Sequence, residues 1–551
     1  MRVHSSRILI AAPLAMAALA MSGCSSGSSS ASAVASGGPG SPAGAASAAS
    51  SGATASAGVI AASSCSAPGV TGGSGSGTGN VGSPSGGAAA GGAGGTPPSG
   101  TAGAVPSGAA GGSGGPGGTP PSGGVPTGAA PGGGQGGQGA APSGAPGAGG
   151  GAGSAAGGGS SSSTGNSGSA LYTLSSGSVA KTGQSFTVGA DDTSAVVASK
   201  SGKLTLIRPT IHTSGGTTSS DDTSFYGLNA AVSAHAGGQI TIDGGSVSTT
   251  GSGGNLLDAY GTAATVTMNG GTLNATGEFG HGVIASYGGS ITLNKVAVTT
   301  SGCHAGAVAT DRGGGTVVVN GGTLSTSGKY SPDVYSTGKM TLNQVTGTST
   351  GAEAVTVEGT NSVSLNDSRL TGTSYGSLLY QSGSGDAEVG TGALAVSGGS
   401  LTATKGPVFG VQKTAAAITV KGGAALSSST GVLLAATANG KAVLTADGET
   451  LTGNVTCDST GSAAVSLTGG STLTGTFTNA ALTLASGTTW TVTADSTLTS
   501  LTDAAAISGS SIGNIVGNGH SVTYDPNLTA NKALAGKTYT LKGGGTLTPK
   551  K

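Results

Sequence analysis

Ile240-Thr241-Ile242-Asp243, Val266-Thr267-Met268-Asn269, Ile291-Thr292-Leu293-Asn294, Val317-Val318-Val319-Asn320, Met340-Thr341-Leu342-Asn343 and Val363-Ser364-Leu365-Asn366 repeat one phrase: apolar, small, apolar, then Asn or a substitute. Their fourth positions lie 26, 25, 26, 23 and 23 residues apart. A self-similar period of this size marks a solenoid, in which each repeat buries its apolar face only against its neighbours. The alternation within each phrase sends two apolar side chains to one side of a short strand. Later copies are Leu394-Ala395-Val396-Ser397, Ile418-Thr419-Val420-Lys421 and Val465-Ser466-Leu467-Thr468. Four residues past the Asn comes a second apolar site, as in Leu273, Val298, Leu324, Leu370 and Leu401. A third short run follows: Leu256-Leu257, Val283-Ile284, Ala307-Val308, Val334-Tyr335, Leu378-Leu379 and Val408-Phe409. Three strands with turns in about 24 residues describe one rung of a parallel β-helix, whose rungs pair about 4.8 Å apart. The hairpins of a β-sandwich would not return the same strand order at each repeat.

The column Asn269, Asn294, Asn320, Asn343 and Asn366 resembles the asparagine ladder of right-handed, pectin-lyase-like parallel β-helices, and the likeness covers roughly residues 170 to 510. Stacked carboxamides can bond from rung to rung, and Asn tolerates the left-handed conformation that a tight turn requires. The resemblance implies an all-β, right-handed parallel β-helix. Within that family the activities run from polysaccharide lyases and hydrolases to adhesins without catalysis, so fold alone does not choose. The chain is therefore read as a signal segment at 1–23, a low-complexity disordered spacer at 24–169, the β-helix at 170–510 and C-terminal cap strands at 511–551.

Composition supports this division. Charged residues make up 7 % of the chain against roughly 25 % in ordinary soluble domains, and 113 glycines stand beside one Trp, five Phe and ten Tyr. Lys plus Arg balances Asp plus Glu at 20 each, which leaves no net field to attract nucleic acid or an anionic membrane surface. Arg2 and Arg7 precede an apolar run from Ile8 to Ala20, too short for the roughly 20 residues of a transmembrane helix and fitting a secretory signal. Met21-Ser22-Gly23-Cys24 resembles the lipobox of bacterial lipoproteins, which implies cleavage before Cys24 and an acyl anchor on its sulfur. The protein is then exported and tethered to the membrane by lipid. From Ile8 to Ala180 there is no Asp, Glu, Lys or Arg, and the text is mostly Gly, Ala, Ser, Pro and Thr, which cannot bury a core. A coil of that composition spans roughly 60–70 Å end to end.

The candidate chemistry is sparse. If Leu257, Ile284, Val308 and Leu379 point inward, then Asp258, Tyr260, Ala285, Tyr287, Ala309 and Asp311 point outward, and Tyr260 and Tyr287 stack on adjacent rungs beside Asp258, Asp311 and Arg312. Exposed aromatics beside carboxylates suit sugar rings, whose apolar faces stack while their hydroxyls bond to the acids. Of the acids and arginines a lyase-like site would need, only Asp311, Asp333 and Arg312 come near each other, and Arg312 is placed to neutralise Asp311. Cys303 and Cys457 lie about six rungs, or roughly 30 Å, apart, beyond the ~7 Å Cα limit of a disulfide. With Cys65 in the spacer, no disulfide framework is expected in the β-helix. His281 and His304 fall on successive rungs, where they read as neutral turn histidines, and no cofactor or metal is implied. Thr241, Thr267, Thr292, Thr341 and Thr419 recur at one outward position, a row resembling the face of β-helical ice-binding proteins. The expectation is a surface-anchored, non-catalytic module for adhesion or glycan binding, with an extracellular polysaccharide or another surface as partner. Polysaccharide lyase or hydrolase activity stands second, and ice binding third.

Overall fold

The computed structural model describes residues 165–503 and 506–551. The signal segment, the lipobox with Cys24, Cys65 and nearly all of the spacer lie outside the described residues. From residue 169 to 549 the chain is an all-β parallel solenoid of about 15 turns. Each strand pairs in parallel with its counterpart one turn later. Gln239–Asp243 pairs with Thr265–Asn269, which pairs with the first part of Ser290–Thr300; Ser246–Thr249 pairs with Thr272–Ala275; Val232–His235 pairs with Leu257–Tyr260 and that with Val283–Ser286. Three stacked sheets result, called here first, second and third in the order of these examples.

The repeated phrase builds the first sheet because its two apolar positions stay in register. Val266 and Met268 sit over Ile291 and Leu293, then Val317 and Val319, Met340 and Leu342, Val363 and Leu365, all buried. On this sheet's outer edge the carboxamides form a continuous chain. Asn269 Nδ2 donates to Asp243 Oδ1 at 2.7 Å, and Asn294, Asn320, Asn343 and Asn366 each donate to the Oδ1 of the preceding member at 2.8 Å. Asp243, an acceptor only, ends the chain. These asparagines do not adopt the left-handed conformation expected of them. The residue after each does: Gly270, Lys295, Gly321, Gln344 and Asp367 all have positive φ, between 47° and 66°. The asparagine is therefore needed for its two-way bonding rather than its backbone tolerance. Asn320→Val is expected to lose one bond on each side and cost about 1–2 kcal/mol in urea unfolding, with no strain added at the turn.

The second sheet contains a substitution inside the core. Its inward column runs Leu273, Val298, Leu324, Gly347 and Leu370. A Cβ on Gly347 would stand 2.7 Å from Asp333 Oδ2, so the Asp333 carboxyl occupies the space that a Leu takes on neighbouring rungs. Thr326 Oγ1 donates to Asp333 Oδ1 at 3.3 Å, and burial raises the pKa of Asp333 well above the carboxylate range. Asp333 thus points into the lumen and is no neighbour of Arg312 in any outward site.

The third sheet departs from the expected parity. Leu257 is in register with Val283, not Ile284, and Val283 with Val308, so Ile284 points outward. It is buried all the same, because the interval between Thr213 and Val232 carries the α-helix Ser220–Tyr226, which lies over this face. Ser219 caps the helix by accepting from Asp222 N, and Gly227 ends it in the left-handed conformation. At the C-terminal end the stacking closes with the 3-10 helix Thr529–Leu534 and antiparallel pairs Ile507↔Ile512 and Tyr539↔Leu547. Asn531 there donates to Thr499 O and Asp525 O and accepts from Leu501 N, satisfying backbone groups of the last rungs.

Candidate functional surfaces

On the third sheet the helix turns the expected sugar site into an interior. Asp258 is fully buried beneath it; Ser233 Oγ donates to its Oδ2, while Oδ1 has no partner. Burial pushes its pKa up to about 7, with the Ser233 bond opposing. The helix itself is held by Ser286 Oγ, which donates to Phe225 O at 2.8 Å, and by Asn255 Nδ2, which donates to Thr223 O at 3.0 Å.

The two tyrosines do meet, though not as a stack. Tyr260 is in register with Ser286, and Tyr287 follows it at φ 47°. Their rings lie 5.8 Å apart and nearly perpendicular. Tyr226 from the helix stacks on Tyr287 at 5.6 Å and 13°, and meets Tyr260 edge-on at 5.4 Å. Ring faces meant for a sugar are thus engaged by other rings, and burial raises the Tyr287 hydroxyl pKa to about 12.

Arg312 is a strut. Its guanidinium bonds Asp386 Oδ1 at 2.7 Å and lies 4.0 Å over the Phe225 ring, joining the helix to the loop at 381–390. Asp311 receives the Arg312 backbone N–H at 2.7 Å, and its pKa is pushed up to about 8, first by burial and then by the nearby Asp386. Sequence reasoning missed Asp386 and the fully buried Glu358, which accepts from Tyr335 Oη at 2.6 Å, from Ser382 N at 3.1 Å and from Ser382 Oγ. A signal was present: Asn366 and Ser397 are 31 residues apart, longer than any earlier repeat, which marks the inserted loop. The acids of this face are held by protein partners.

The histidines occupy separate roles. His281 Nδ1 accepts from Gly306 N at 3.0 Å, and burial lowers its pKa to about 4. His304 is stacked between Phe279 and Tyr330 at 5.2 and 5.0 Å. Among the described residues no three His, Cys, Asp or Glu side chains gather as a metal site would require. Cys303 is disulfide-bonded, which corrects the expectation of a β-helix without disulfides; Cys457 is free and buried.

The most regular polar surface is the outside of the second sheet. Ser246 and Ser248, Thr272 and Asn274, Ala297 and Thr299, Thr323 and Ser325, Thr346 and Thr348, Arg369 and Thr371, and Ser400 and Thr402 follow one another in register, rung upon rung. A third rank continues two residues on: Thr250, Thr276, Ser301, Ser327, Thr350, Thr373 and Thr404. The backbone N–H of Thr250, Thr276, Ser301, Ser327, Thr350 and Thr404 each bonds the preceding rung at 2.9–3.1 Å, so the ladder extends beneath this rank. Small hydroxylated side chains therefore stand about 6.6 Å apart along each strand and about 4.8 Å apart between rungs. The row expected on the first sheet is narrower and interrupted by Val318 and Ala395.

No protein-family model, curated protein or solved structure matches the chain.

Proposed function

We propose that the protein is a surface-anchored, non-catalytic adhesion module that binds a regularly repeating hydroxylated polymer, such as an extracellular polysaccharide, through the outside of the second sheet. The three-rank Ser/Thr array carries this reading, since a fixed two-dimensional set of donors and acceptors suits a ligand that itself repeats. The engagement of Asp258, Asp311, Asp386 and Glu358 with protein partners favours binding over turnover, because an acid catalyst must reach a substrate proton. A lipid on Cys24 and the pectin-lyase-like likeness accord with a tethered β-helix acting at a cell surface. Ice is a second reading of the same face, favoured by its flatness and by the lack of aromatic rings in its ranks.

The test is retention of the full-length protein on a panel of insoluble polysaccharides, run beside ice-recrystallisation and reducing-end assays. Thr348→Tyr with Thr402→Tyr is expected to weaken retention by about tenfold or more while circular dichroism stays unchanged. Retention untouched by that pair but lost in Tyr260→Ala with Tyr287→Ala would return the site to the third sheet. Mass spectrometry of the mature N-terminus tests the anchor, and an unmodified Cys24 would remove it.

A further inference from the structure

Cys303 lies in the turn between the second and third sheets, almost fully buried, with its carbonyl accepting from Phe279 N at 2.9 Å. Its sulfur is in a disulfide. The chain has four cysteines. Cys457 is free, and it stands in register six rungs along the third sheet, through Ser336, Val357, Leu379, Val411 and Ala436, about 29 Å away. No disulfide spans that distance. The partner therefore precedes residue 165 and is Cys24 or Cys65.

We infer that Cys303 is cross-linked to Cys65, so that the Gly/Ala/Ser-rich segment is fastened back onto the β-helix partway along its length. Preference for Cys65 over Cys24 rests on the anchor reading above, in which the Cys24 sulfur is committed to a thioether. In forming the bond, the two thiols give up two protons and two electrons to a protein disulfide oxidant of the export compartment, whose own disulfide is reduced to two thiols. The bond has a geometric effect. The segment between the anchor and the first fixed point shortens from some 145 residues to 41, and the coil law then gives a reach of roughly 30–40 Å in place of 60–70 Å. Reduction by an envelope thiol would restore the longer reach, so redox state sets how far the module stands from its membrane.

Exported full-length protein, quenched with N-ethylmaleimide and digested without reduction, is expected to yield a Cys65–Cys303 linked peptide. In Cys65→Ser, Cys303 is expected to become alkylated while circular dichroism stays unchanged. Alkylated Cys65 and Cys303 in the unaltered protein, or a Cys303–Cys457 peptide, would overturn the cross-link and leave the adhesion reading intact. A Cys24–Cys303 peptide would overturn both this assignment and the lipid anchor.

Discussion

Urea unfolding at a series of pH values is expected to show the β-helix losing about 2–4 kcal/mol of stability between pH 5 and pH 8. Three buried carboxyls carry the effect: Asp258, with a pKa near 7, Asp311, near 8, and Asp333, raised well above the ordinary value of 3.8. In each, burial is the leading cause. A carboxyl whose folded pKa is raised keeps its proton while the unfolded chain has lost it. Its stabilising contribution is complete below about pH 4 and disappears as pH rises through the folded value. His281 opposes this, since its folded pKa is lowered to about 4 and the unfolded chain takes up its proton below about pH 6.5. The net slope is therefore shallow on the acid side and steepest from pH 6.5 to 8, where the carboxyls act alone. Asp258→Asn keeps the shape of the buried group without its titration and is expected to flatten part of the slope. A stability that rises from pH 6.5 to 8 would contradict the burial described for these three acids.

Trp490→Ala is expected to cost about 3–5 kcal/mol, the usual loss for a large buried aromatic. Trp490 is fully buried in the inward column of the second sheet, between Leu473 and Ile515. Its ring meets Phe477 edge-on at 4.9 Å, and its Nε1–H donates to Gly475 O at 3.0 Å. Truncation leaves a void and an unpaired carbonyl together. Because each rung contacts only its neighbours, the damage should stay local. Hydrogen exchange is expected to quicken from about residue 473 to 515 and to remain slow at the asparagine chain from 269 to 366. Uniform acceleration along the whole solenoid would mean that it unfolds as one cooperative unit.

How much of this was legible follows from the kinds of signal involved. The period, the parallel pairing and the asparagine column could be read from the sequence because one register governs every rung, and Val-Thr-Met-Asn or Met-Thr-Leu-Asn leaves no doubt about which side is apolar. Parity on the third sheet was illegible at Val283-Ile284. Both residues are apolar, and the helix that covers Ile284 lies some sixty residues earlier in the chain. The same cover buries Asp258, so a residue that looked like a surface ligand is an interior acid. Gly347 and Asp333 complement one another only in space, and no local pattern links them. The hydroxyl array was present in plain text as Ser-Val-Ser-Thr-Thr, Thr-Leu-Ser-Thr-Ser and Thr-Gly-Thr-Ser-Thr, beginning three residues after each ladder position. Threonine's preference for strands hides such a row until neighbouring rungs are laid side by side.

The unequal spacing of the repeats has a consequence for how such a molecule can change over generations. Copies of 23, 25 and 26 residues hold identical columns in register, so differences in length are absorbed at the turns. Gain or loss of one whole copy would alter the molecule by a single step of about 4.8 Å and leave every face intact. Such a solenoid behaves as a ruler graduated in copies, on which the span available for contact can be edited by duplication alone.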